Sequence, residues 1–280
     1  MHISDLHAGW SFRAEVGDAL VEAATAIRPD GIVCSGDLVQ RSELRSHWRQ
    51  ASAFLARFEA PLIAVPGNHD LPVFNPLTRL VAPLARYRAG AHREVDRVLS
   101  LPAAVVVGLS TPKRWTIDLG FVSPAQIEWA AAQFAAHPPH RLQVVAIHHG
   151  LRQLPVGLAR NHVRGSARLT QALAAMGVHA VLSGHNHFPH VELLGHAGRH
   201  FVWSQAGTST SNRIRHPEWR QNHFSLIRAG AEQLHVEWWH FHKGTRAFER
   251  GQAHVFALAG GRVTPVAPEA ADRGGRQSLA

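Results

Sequence analysis

The sequence predicts an α/β domain with layered sheets, and two observations indicate this class. Short apolar runs typical of buried strands alternate with amphipathic helices up to about residue 188. Beyond that point the helical spacing stops, and apolar runs separated by glycine turns follow one another. Alternating strands and helices followed by a run of strands are expected from one α/β domain rather than from two independent domains.

The predicted helices have apolar residues at helical spacing, and two of them also carry start signals. Ser123 and Gln126 have the spacing of a capping box, and Pro76 after Asn75 is typical of a first helical turn. The predicted helices cover residues 14–27, 42–58, 75–87, the segment that begins at Ser123, and 166–176.

The predicted strands are short apolar runs bounded by turn residues. Before residue 188 they cover residues 1–4, 31–35, 61–66, 103–110, 142–147 and 179–183. After it, four runs read as strands, namely HVELLG, RHFVWSQAG, NHFSLIRAG and QLHVEWWHFH. We assign residues 1–259 to a single domain, and residues 260–280, which are rich in Gly, Arg, Ala and Pro, to a flexible C-terminal tail.

The composition is typical of a folded domain that does not span a membrane. The chain has 280 residues, of which 45% are hydrophobic and 18% charged, so it is long enough and apolar enough to bury a core. Its one cysteine allows no disulfide within the chain. No signal peptide and no run of about 18 apolar residues is found. We therefore expect a cytoplasmic protein without a transmembrane segment.

The net charge of +9 favours an anionic partner such as a phosphoester. No run of five or more basic residues is present, so nucleic acid is an open but less favoured partner. The composition does not decide the oligomeric state.

Polar motifs follow five of the predicted strands. They are SDLH (4–7), GDLV (36–39), GNHD (67–70), HHG (148–150) and GHNH (184–187). Loops at the carboxyl ends of strands in α/β sheets converge on one ligand site. Five motifs at five strand ends therefore indicate one site.

The residue types in these motifs are those of a metal site. Carboxylate, amide and imidazole groups bind borderline ions such as Mn, Fe or Zn. Seven candidates are too many for one tetrahedral ion but suit two ions that share a carboxylate. The candidates are Asp5, His7, Asp37, Asn68, His148, His185 and His187.

Each motif alone has an ordinary structural interpretation. Asp5 can cap a helix, Gly36 with Asp37 is common turn chemistry, and a chain with 22 histidines places some beside each other by chance. GNHD and GHNH are more specific, because turns rarely need so many polar types together. The five motifs in this order, each after a strand, favour the metal site.

The motif set resembles the calcineurin-like metallophosphoesterase superfamily, over residues 1 to about 245. The matching residues are the pair Asp5 and His7, then Gly36-Asp37, Gly67-Asn68-His69-Asp70, His148, and Gly184-His185 with His187. The segments 65–88 and 206–227 look like a bacterial branch described as cyclic-nucleotide-phosphodiesterase-like. The resemblance implies two mixed β-sheets packed as a sandwich and flanked by helices.

The resemblance also implies a ligand set for two divalent or trivalent metal ions (Mn, Fe or Zn). One ion would be held by Asp5, His7, Asp37 and His187, and the other by Asp37, Asn68, His148 and His185. The implied reaction is hydrolysis of a phosphodiester by a hydroxide that bridges the metals.

The resemblance further assigns the residues around these ligands. The implied catalytic residues are His69, which stabilises or protonates a reacting oxygen, and Asp70, which orients His69 by a hydrogen bond. The alternative for Asp70 is that it caps a turn. Asn68, His69 and His149 are the implied substrate-binding residues.

One feature departs from the family pattern. Members usually have several more residues before the first motif, whereas here Met1 stands four residues before Asp5. We expect either an upstream start or a shortened first strand.

The substrate stays open at this point. A small-molecule or cyclic-nucleotide diester is the favoured interpretation. The alternatives are an SbcD-like DNA nuclease, a lipid-pyrophosphate hydrolase of the UDP-diacylglucosamine type, and a phosphomonoesterase. A non-catalytic scaffold that kept the fold is less favoured, because all seven candidate ligands are present. Arg213, Arg215 and His216 either reach the substrate or are solvated.

Overall fold

The protein is built on fifteen strands and six helices within residues 1–137, 142–154, 162–214, 220–260 and 262–265, which the computed structural model describes. The strands are β1 (His2–Ile3), β2 (Ile32–Cys34), β3 (Leu62–Ala64), β4 (Arg97–Ser100), β5 (Ala104–Gly108), β6 (Gly120–Phe121), β7 (Leu142–Ala146), β8 (Val163–Arg164), β9 (Ala180–Ser183), β10 (His190–His196), β11 (Arg199–Gln205), β12 (His223–Ala229), β13 (Gln233–His242), β14 (Ala247–Ala259) and β15 (Arg262–Pro265). The helices are α1 (Ala14–Ile27), α2 (Arg45–Leu55), α3 (Pro76–Val81), α4 (Ala85–Gly90), α5 (Pro124–Ala135) and α6 (Ser166–Met176).

Thirteen of the strands form one mixed sheet that folds back on itself. Its hydrogen-bonded order is β3-β2-β1-β12-β13-β14-β15-β11-β9-β7-β5-β4, with β10 beside β11. The short strand β15 pairs with β14 on one side and with β11 on the other, so it connects the two halves. The predicted α/β class is confirmed, and the two predicted sheets are hydrogen-bonded to each other through β15. This continuity supports our proposal that residues 1–259 form one domain.

Strands β2, β5 and β9 are buried on both faces, which explains their continuous apolar runs. Successive side chains of a strand point to opposite faces, so Ile32 and Cys34 pack against the helices while Val33 faces the other half of the sheet. In β5, Val105 faces the helices and Val106 faces inward in the same way. The inner valines and leucines of both halves form one core, which makes the layers helix, sheet, sheet, helix.

The helices cover the outer faces of the two halves. Leu20 of α1, Trp48 of α2 and Tyr87 of α4 are buried against the half that contains β1. Phe134 of α5 and Leu173 of α6 are buried against the other half. Each such side chain contributes about 1.5–3 kcal/mol through removal from water, which fixes the helices and the loops between them.

The strands that precede the polar motifs run parallel within each half. β1, β2 and β3 are parallel neighbours in one half, and β7, β9 and β11 are parallel neighbours in the other. Parallel neighbours end at the same edge of a sheet. The motifs therefore converge from the two halves of the sandwich.

Two predicted helices differ from the structure. The helix predicted over 75–87 is two short helices, α3 and α4, because Pro83 has no backbone N–H and cannot continue a helix. The helix predicted over 42–58 is limited to α2, since Ser42 and Glu43 make other contacts. The Ser42 carbonyl accepts from the indole of Trp48, and the Glu43 carboxylate accepts from the backbone of residues 73 and 74.

Several strands are not predicted from the sequence. β6 and β8 have two residues each, too few for a pattern. β4 has only four residues, with polar residues at both ends, and β14 is missed because its segment 249–252 is polar and contains Gly251. β15 corrects the predicted tail, because Arg262–Pro265 are part of the sheet. The rest of the predicted tail from residue 266 lies outside the described residues.

No helix within the described ranges has the length and apolar content needed to cross a bilayer.

Candidate metal centre

The seven candidate ligands meet at the carboxyl ends of the strands from both halves. Asp5 and His7 follow β1, Asp37 follows β2, and Asn68 follows β3. His148 follows β7, and His185 and His187 follow β9. All seven side chains are buried or nearly so, with at most 6% of any residue exposed. Buried polar groups in this number require partners that balance their charge.

The first group of ligands consists of Asp5, His7, Asp37 and His187, each of which offers one ligand atom within 4.8 Å of the others. Nε2 of His187 lies 3.1 Å from Oδ1 of Asp5 and 3.0 Å from Nε2 of His7. His7 Nε2 also lies 3.6 Å from Oδ2 of Asp37. Two carboxylates and two imidazoles thus face a common point.

The second group contains Asp37, His148 and His185, whose ligand atoms also lie within 4.8 Å of one another. Asn68 completes it, because its Oδ1 lies 3.1 Å from Nε2 of His148 and 3.0 Å from Nδ1 of His185. One carboxylate, one amide oxygen and two imidazoles are again ligands that borderline divalent ions accept.

Asp37 belongs to both groups, and its two oxygens face different partners. Oδ2 is on the His7 side, and Oδ1 lies 3.4 Å from Nε2 of His148. The backbone N–H of His69 donates to Oδ1 at 2.8 Å, which holds the carboxylate in this orientation. A carboxylate shared in this way is the arrangement that two neighbouring ions need.

Hydrogen bonds behind the ligands fix which ring nitrogen faces the centre. Nδ1–H of His148 donates to the carbonyl of Ser35 at 2.7 Å, and Nδ1–H of His187 donates to the carbonyl of Arg213. In both rings Nε2 is left with its lone pair toward the ligand group. Protein metal sites commonly orient their histidines by such bonds.

The first carboxylate is oriented in the same manner. Oδ2 of Asp5 accepts from the hydroxyl of Ser4 at 2.7 Å and from the backbone N–H of His185 at 2.9 Å. Oδ1 is buried and meets no donor in hydrogen-bond geometry among the residues that the structure describes. Burial alone would raise the pKa of Asp5, but the His187 ring and the Ser4 hydroxyl hold it below its usual range. A buried, ionised oxygen that faces imidazole nitrogens fits a bound cation.

The backbone at most of the candidate ligands has a positive φ, a conformation that residues other than glycine rarely adopt. Five of the seven candidates have a positive φ, namely Asp5 (54°), His7 (46°), Asp37 (51°), His185 (77°) and His187 (62°). A left-handed non-glycine residue costs about 1–3 kcal/mol, and such residues cluster at functional sites. Because five share one site, the strain is an independent indication that these side chains are held there for their chemistry.

Two glycines allow the loops to approach this closely. A Cβ at position 67 would collide with the carboxylate of Asp37, and a Cβ at position 184 would collide with Ser4 and Asp5. Any side chain there would displace a ligand. The glycines in these motifs are therefore required by the packing of the centre.

His69 lies beside the first group, with its ring centroid 4.8 Å from that of His7. Its Nδ1–H donates to the carbonyl of Gln40 at 3.0 Å, and its Nε2 accepts from Nη1 of Arg213 at 2.9 Å. Burial lowers the pKa of His69, although the charge of Asp37 opposes this. The structure therefore places His69 next to the ligands without making it one.

The prediction that Asp70 orients the His69 ring by a hydrogen bond is wrong. The Asp70 carboxylate instead accepts from the backbone N–H groups of Gly67 (2.8 Å), Leu38 (3.2 Å) and Val39 (3.1 Å). These bonds tie the loop of Asp37 to the loop of Asn68. Burial and the nearby charge of Asp37 raise the pKa of Asp70 to about 7. The Asp70 carboxylate bonds to these backbone amides instead of the His69 ring because three buried N–H donors converge on its two oxygens and need an acceptor.

His149 is fully buried and packs behind the second group. Its ring lies 4.6 Å from the ring of His185, and its Nδ1 lies 2.7 Å from the hydroxyl of Thr111. Burial and the adjacent His148 lower the pKa of His149 well below its usual value. These contacts are those of a residue that supports His185, and the predicted substrate contact stays a prediction.

Sequence reasoning missed one contributor to the site and left the role of another open. Gln40 holds His69 through its backbone carbonyl, which no side-chain pattern reveals. The position of Arg213 was left open between substrate and solvent, and the structure brings its side chain to His69. Its place depends on hydrogen bonds between its segment and the first motif, which no sequence pattern reveals. Arg215 and His216 lie outside the described residues.

The fold has solved counterparts. A dimetal phosphatase from Danio rerio aligns with a TM-score of 0.63 at 13% identity, covering 91% of this chain and 96% of that one. A purple acid phosphatase from yellow lupin seeds (Lupinus luteus) aligns with a TM-score of 0.69 at 11% identity, covering 91% of this chain and 52% of that one. At these identities the likeness concerns the fold alone.

Two curated relatives are similar in sequence. A cAMP/cGMP dual specificity phosphodiesterase from Mycobacterium tuberculosis is 27% identical over 205 residues, which are 67% of this chain and 61% of the relative. A 3',5'-cyclic adenosine monophosphate phosphodiesterase from Escherichia coli K12 is 30% identical over 174 residues, or 58% of either chain. The match therefore spans about three fifths of the length of these relatives.

A mixed α/β sandwich with two ligand groups at its strand ends is typical of metal-dependent phosphoester hydrolases. The family model of calcineurin-like phosphoesterases matches residues 1–189. The chain belongs to this family, which confirms the resemblance seen in its motifs.

Proposed function

We propose that this protein is a binuclear-metal-dependent phosphodiesterase that hydrolyses a small-molecule or cyclic-nucleotide diester. The observation that carries the proposal is the carboxylate of Asp37, which the first and the second ligand group share. One ion would be held by Asp5, His7, Asp37 and His187, and the other by Asp37, Asn68, His148 and His185. Mn, Fe and Zn all suit these donors.

When bound, the two ions lower the pKa of a water and neutralise charge on phosphate oxygens. The chain's own residues orient these ligands and exclude bulk water. The Asp37 carboxylate is fixed by the His69 amide, and the Nε2 atoms of His148 and His187 are directed inward by carbonyl oxygens. Preorganised ligands of this kind need no rearrangement during the reaction.

His69 has the position required of a residue that acts on the substrate. Its ring stands beside the first group, and the Gln40 carbonyl fixes the ring by accepting from Nδ1–H. In this orientation Nε2 is the atom that reaches toward a bound phosphoester. In the imidazolium form, which the charge of Asp37 favours, Nε2 would donate to a reacting oxygen of the substrate, and this is the role that we propose for it.

The names of the two curated relatives support a cyclic nucleotide as the substrate. Both relatives are named as phosphodiesterases of cyclic nucleotides, and the net charge of +9 suits any anionic phosphoester.

The same charge keeps a DNA nuclease as the second candidate. A lipid-pyrophosphate hydrolase and a phosphomonoesterase share the metal chemistry and are separated by the experiment below. A cytoplasmic location stays a prediction from the sequence.

The test is a substrate panel on Mn-loaded protein. It compares bis-p-nitrophenyl phosphate, p-nitrophenyl phosphate, cAMP, cGMP, single-stranded DNA and a UDP-linked lipid pyrophosphate. The Asp37→Ala variant is the control, because it removes the shared ligand. We expect diester and cyclic-nucleotide cleavage in the wild type and none above background in the variant. Cleavage of the monoester, DNA or lipid pyrophosphate alone would replace the proposed substrate class.

A further inference from the structure

Exposed large hydrophobic side chains cluster on one part of the surface. Of the nine such side chains among the described residues, six lie in two short segments, 74–81 and 115–117. Each of these six residues is 57–73% exposed. We call the group the apolar face, and its members are Phe74, Leu77, Leu80, Val81, Trp115 and Ile117. Single exposed hydrophobic residues are ordinary, whereas a contiguous group marks an interaction surface.

Helix α3 turns its apolar side outward. Leu77, Leu80 and Val81 stand at positions i, i+3 and i+4, which lie on one side of a helix. All three are exposed, whereas Arg79 of the same helix is buried. A helix that packs on a core normally has the opposite arrangement, with its apolar side inward. The packing of this chain therefore does not account for the outward apolar side chains of α3.

The buried Arg79 joins the two segments of the apolar face. Its guanidinium donates to the carbonyl of Pro72 at 2.7 Å and to the carbonyl of Arg114 at 2.9 Å. In return, Nη1 of Arg114 donates to the carbonyl of Leu80 at 3.0 Å. These bonds hold α3 beside the segment of Trp115, so the six side chains belong to one contiguous surface.

The segments that carry the apolar face are basic. Residues 72–88 and 111–118 contain five Lys or Arg and one acidic residue, Asp118. The carboxylate of Glu43 lies there as well, where it accepts from the backbone N–H groups of residues 73 and 74. Positive charges outnumber negative ones even with this carboxylate included. The surface therefore favours an anionic partner.

Two of the positive charges stand directly beside the aromatic members of the apolar face. The guanidinium of Arg41 lies 4.1 Å from the ring centroid of Phe74, and that of Arg114 lies 5.8 Å from the ring centroid of Trp115. None of the ion pairs between described residues includes Arg41 or Arg114. Apolar side chains and cations are thus presented together.

This combination fits a lipid surface better than a second copy of the chain. In a symmetric dimer the same patch would face itself, so its arginines would approach one another. Like charges brought together in this way oppose association. A bilayer with anionic lipids has negative headgroups at its surface and acyl chains beneath, which matches cations beside projecting apolar side chains. Tryptophan is also enriched at the boundary between headgroups and acyl chains.

We infer that the apolar face attaches the protein to membrane surfaces that contain anionic lipids. The leucines of α3 and the ring of Trp115 insert among the acyl chains, while Arg41 and Arg114 contact headgroup phosphates. The face adjoins the candidate centre, because Arg41 follows Gln40, whose carbonyl holds the His69 ring. Attachment does not depend on the proposed function, since it involves none of the candidate ligands.

Cosedimentation of the full chain with vesicles tests this inference. One set of vesicles is phosphatidylcholine alone, and the other is phosphatidylglycerol and phosphatidylcholine in equal parts. The variants are the double change Leu77→Gln with Leu80→Gln, and the single change Arg41→Gln. Val255→Gln alters an exposed hydrophobic residue of β14, and Arg57→Gln alters an exposed arginine that pairs with an aspartate, so these two are the matched controls.

We expect the wild type to bind the phosphatidylglycerol vesicles more tightly than phosphatidylcholine alone, and added salt to weaken this binding. The double leucine variant should bind about 10- to 100-fold more weakly, because binding scales with the apolar area that is buried. Arg41→Gln should bind about fivefold more weakly, as for one basic residue at an anionic surface. Both controls should match the wild type, and the thermal melting of all variants should stay unchanged because the altered side chains lie at the surface.

Two results would overturn the inference. One is a wild type that stays in the supernatant with phosphatidylglycerol vesicles, or a double leucine variant that binds them as tightly as the wild type does. The other is a dimer, measured by sedimentation velocity, that the double leucine variant loses while neither protein binds vesicles. That result would assign the apolar face to a second copy of the chain. Neither result involves diester turnover, so the proposed function is tested separately.

Discussion

The two ligand groups differ in charge although they share Asp37. The first group has two carboxylates, Asp5 and Asp37, whereas the second has Asp37 alone together with the neutral amide of Asn68. With neutral imidazoles the first group therefore carries one more negative charge. Because charge attracts cations strongly in a buried site, the first group should hold its ion more tightly. We therefore expect two neighbouring sites that share a ligand to have separate affinities.

The surroundings of the groups differ as well. The first is tied to the segment of Thr208 and Thr210 and lies next to His69 and Arg213. The second is backed by the Ser35 carbonyl and by the buried ring of His149. We therefore expect the polar contacts with the substrate beside the first group. The second group is surrounded mainly by packing contacts.

The largest effect is expected from the residue that the groups share. Asp37→Ala removes a ligand from both, so diester turnover should fall by at least about 10³-fold, since each 1.4 kcal/mol of lost stabilisation is a factor of ten. Steady-state kinetics with bis-p-nitrophenyl phosphate measures this. Asp18→Asn, a change at an exposed carboxylate, is the matched control. Turnover within tenfold of the wild type would contradict the shared role.

Changes to one group at a time should separate the two affinities. Asp5→Asn lowers the charge of the first group, and Asn68→Ala removes the amide oxygen of the second. Each variant should lose about one ion per chain and about 100-fold or more in turnover, since even a lost partner behind a ligand costs about 10- to 100-fold. Metal analysis after dialysis provides the measurement. Loss of both ions from either variant would show that the groups do not bind independently.

The fold and most of this site were predictable, for an identifiable physical reason. Apolar runs predicted the positions of the buried strands because both faces of β2 and β5 pack against other layers. The ligand motifs were visible because each follows such a run directly. The role of Asp70 and the place of Arg213 were not, since both depend on which distant backbone groups lie nearby. Strand β14 was missed because its segment ERGQ (249–252) interrupts the apolar pattern.

A smaller effect is expected from the hydroxyl that orients Asp5. Ser4 donates to Oδ2 of Asp5 at 2.7 Å, and partners behind a metal ligand typically contribute 10- to 100-fold to metal affinity or activity. Ser4→Ala should therefore weaken the first ion and leave the second unchanged. Ser204→Ala, at a buried serine of β11, is the control. Equal behaviour of the two variants in a metal competition assay would argue against the orienting role.

The smallest effect is expected on the stability of the fold in acid, at the strand that leads to the second ligand group. His92 accepts at Nε2 from the backbone N–H of Ala64 on the strand that leads to Asn68, and burial lowers the pKa of His92 to about 4. In the unfolded chain His92 binds a proton near pH 6.5, whereas in the folded protein it stays neutral down to about pH 4. Its contribution to the free energy of unfolding is therefore present above pH 6.5 and is lost as the pH falls from about 6.5 to 4. His92→Gln keeps an acceptor but does not titrate.

Urea unfolding at pH 7.5 and at pH 5 measures this difference. The free energy of unfolding should fall more in the wild type than in His92→Gln between the two pH values. Parallel losses in both proteins would assign the acid sensitivity to other groups, such as buried His2, whose pKa burial lowers to about 3.

Electron paramagnetic resonance of the Mn-loaded protein tests whether Asp37 joins two ions in one centre. We expect close to two ions per chain with the spectrum of an exchange-coupled pair, reduced to an uncoupled ion in Asn68→Ala and to little bound metal in Asp37→Ala. A single uncoupled ion in the wild type, or a coupled pair that persists in Asp37→Ala, would show that Asp37 does not join two ions.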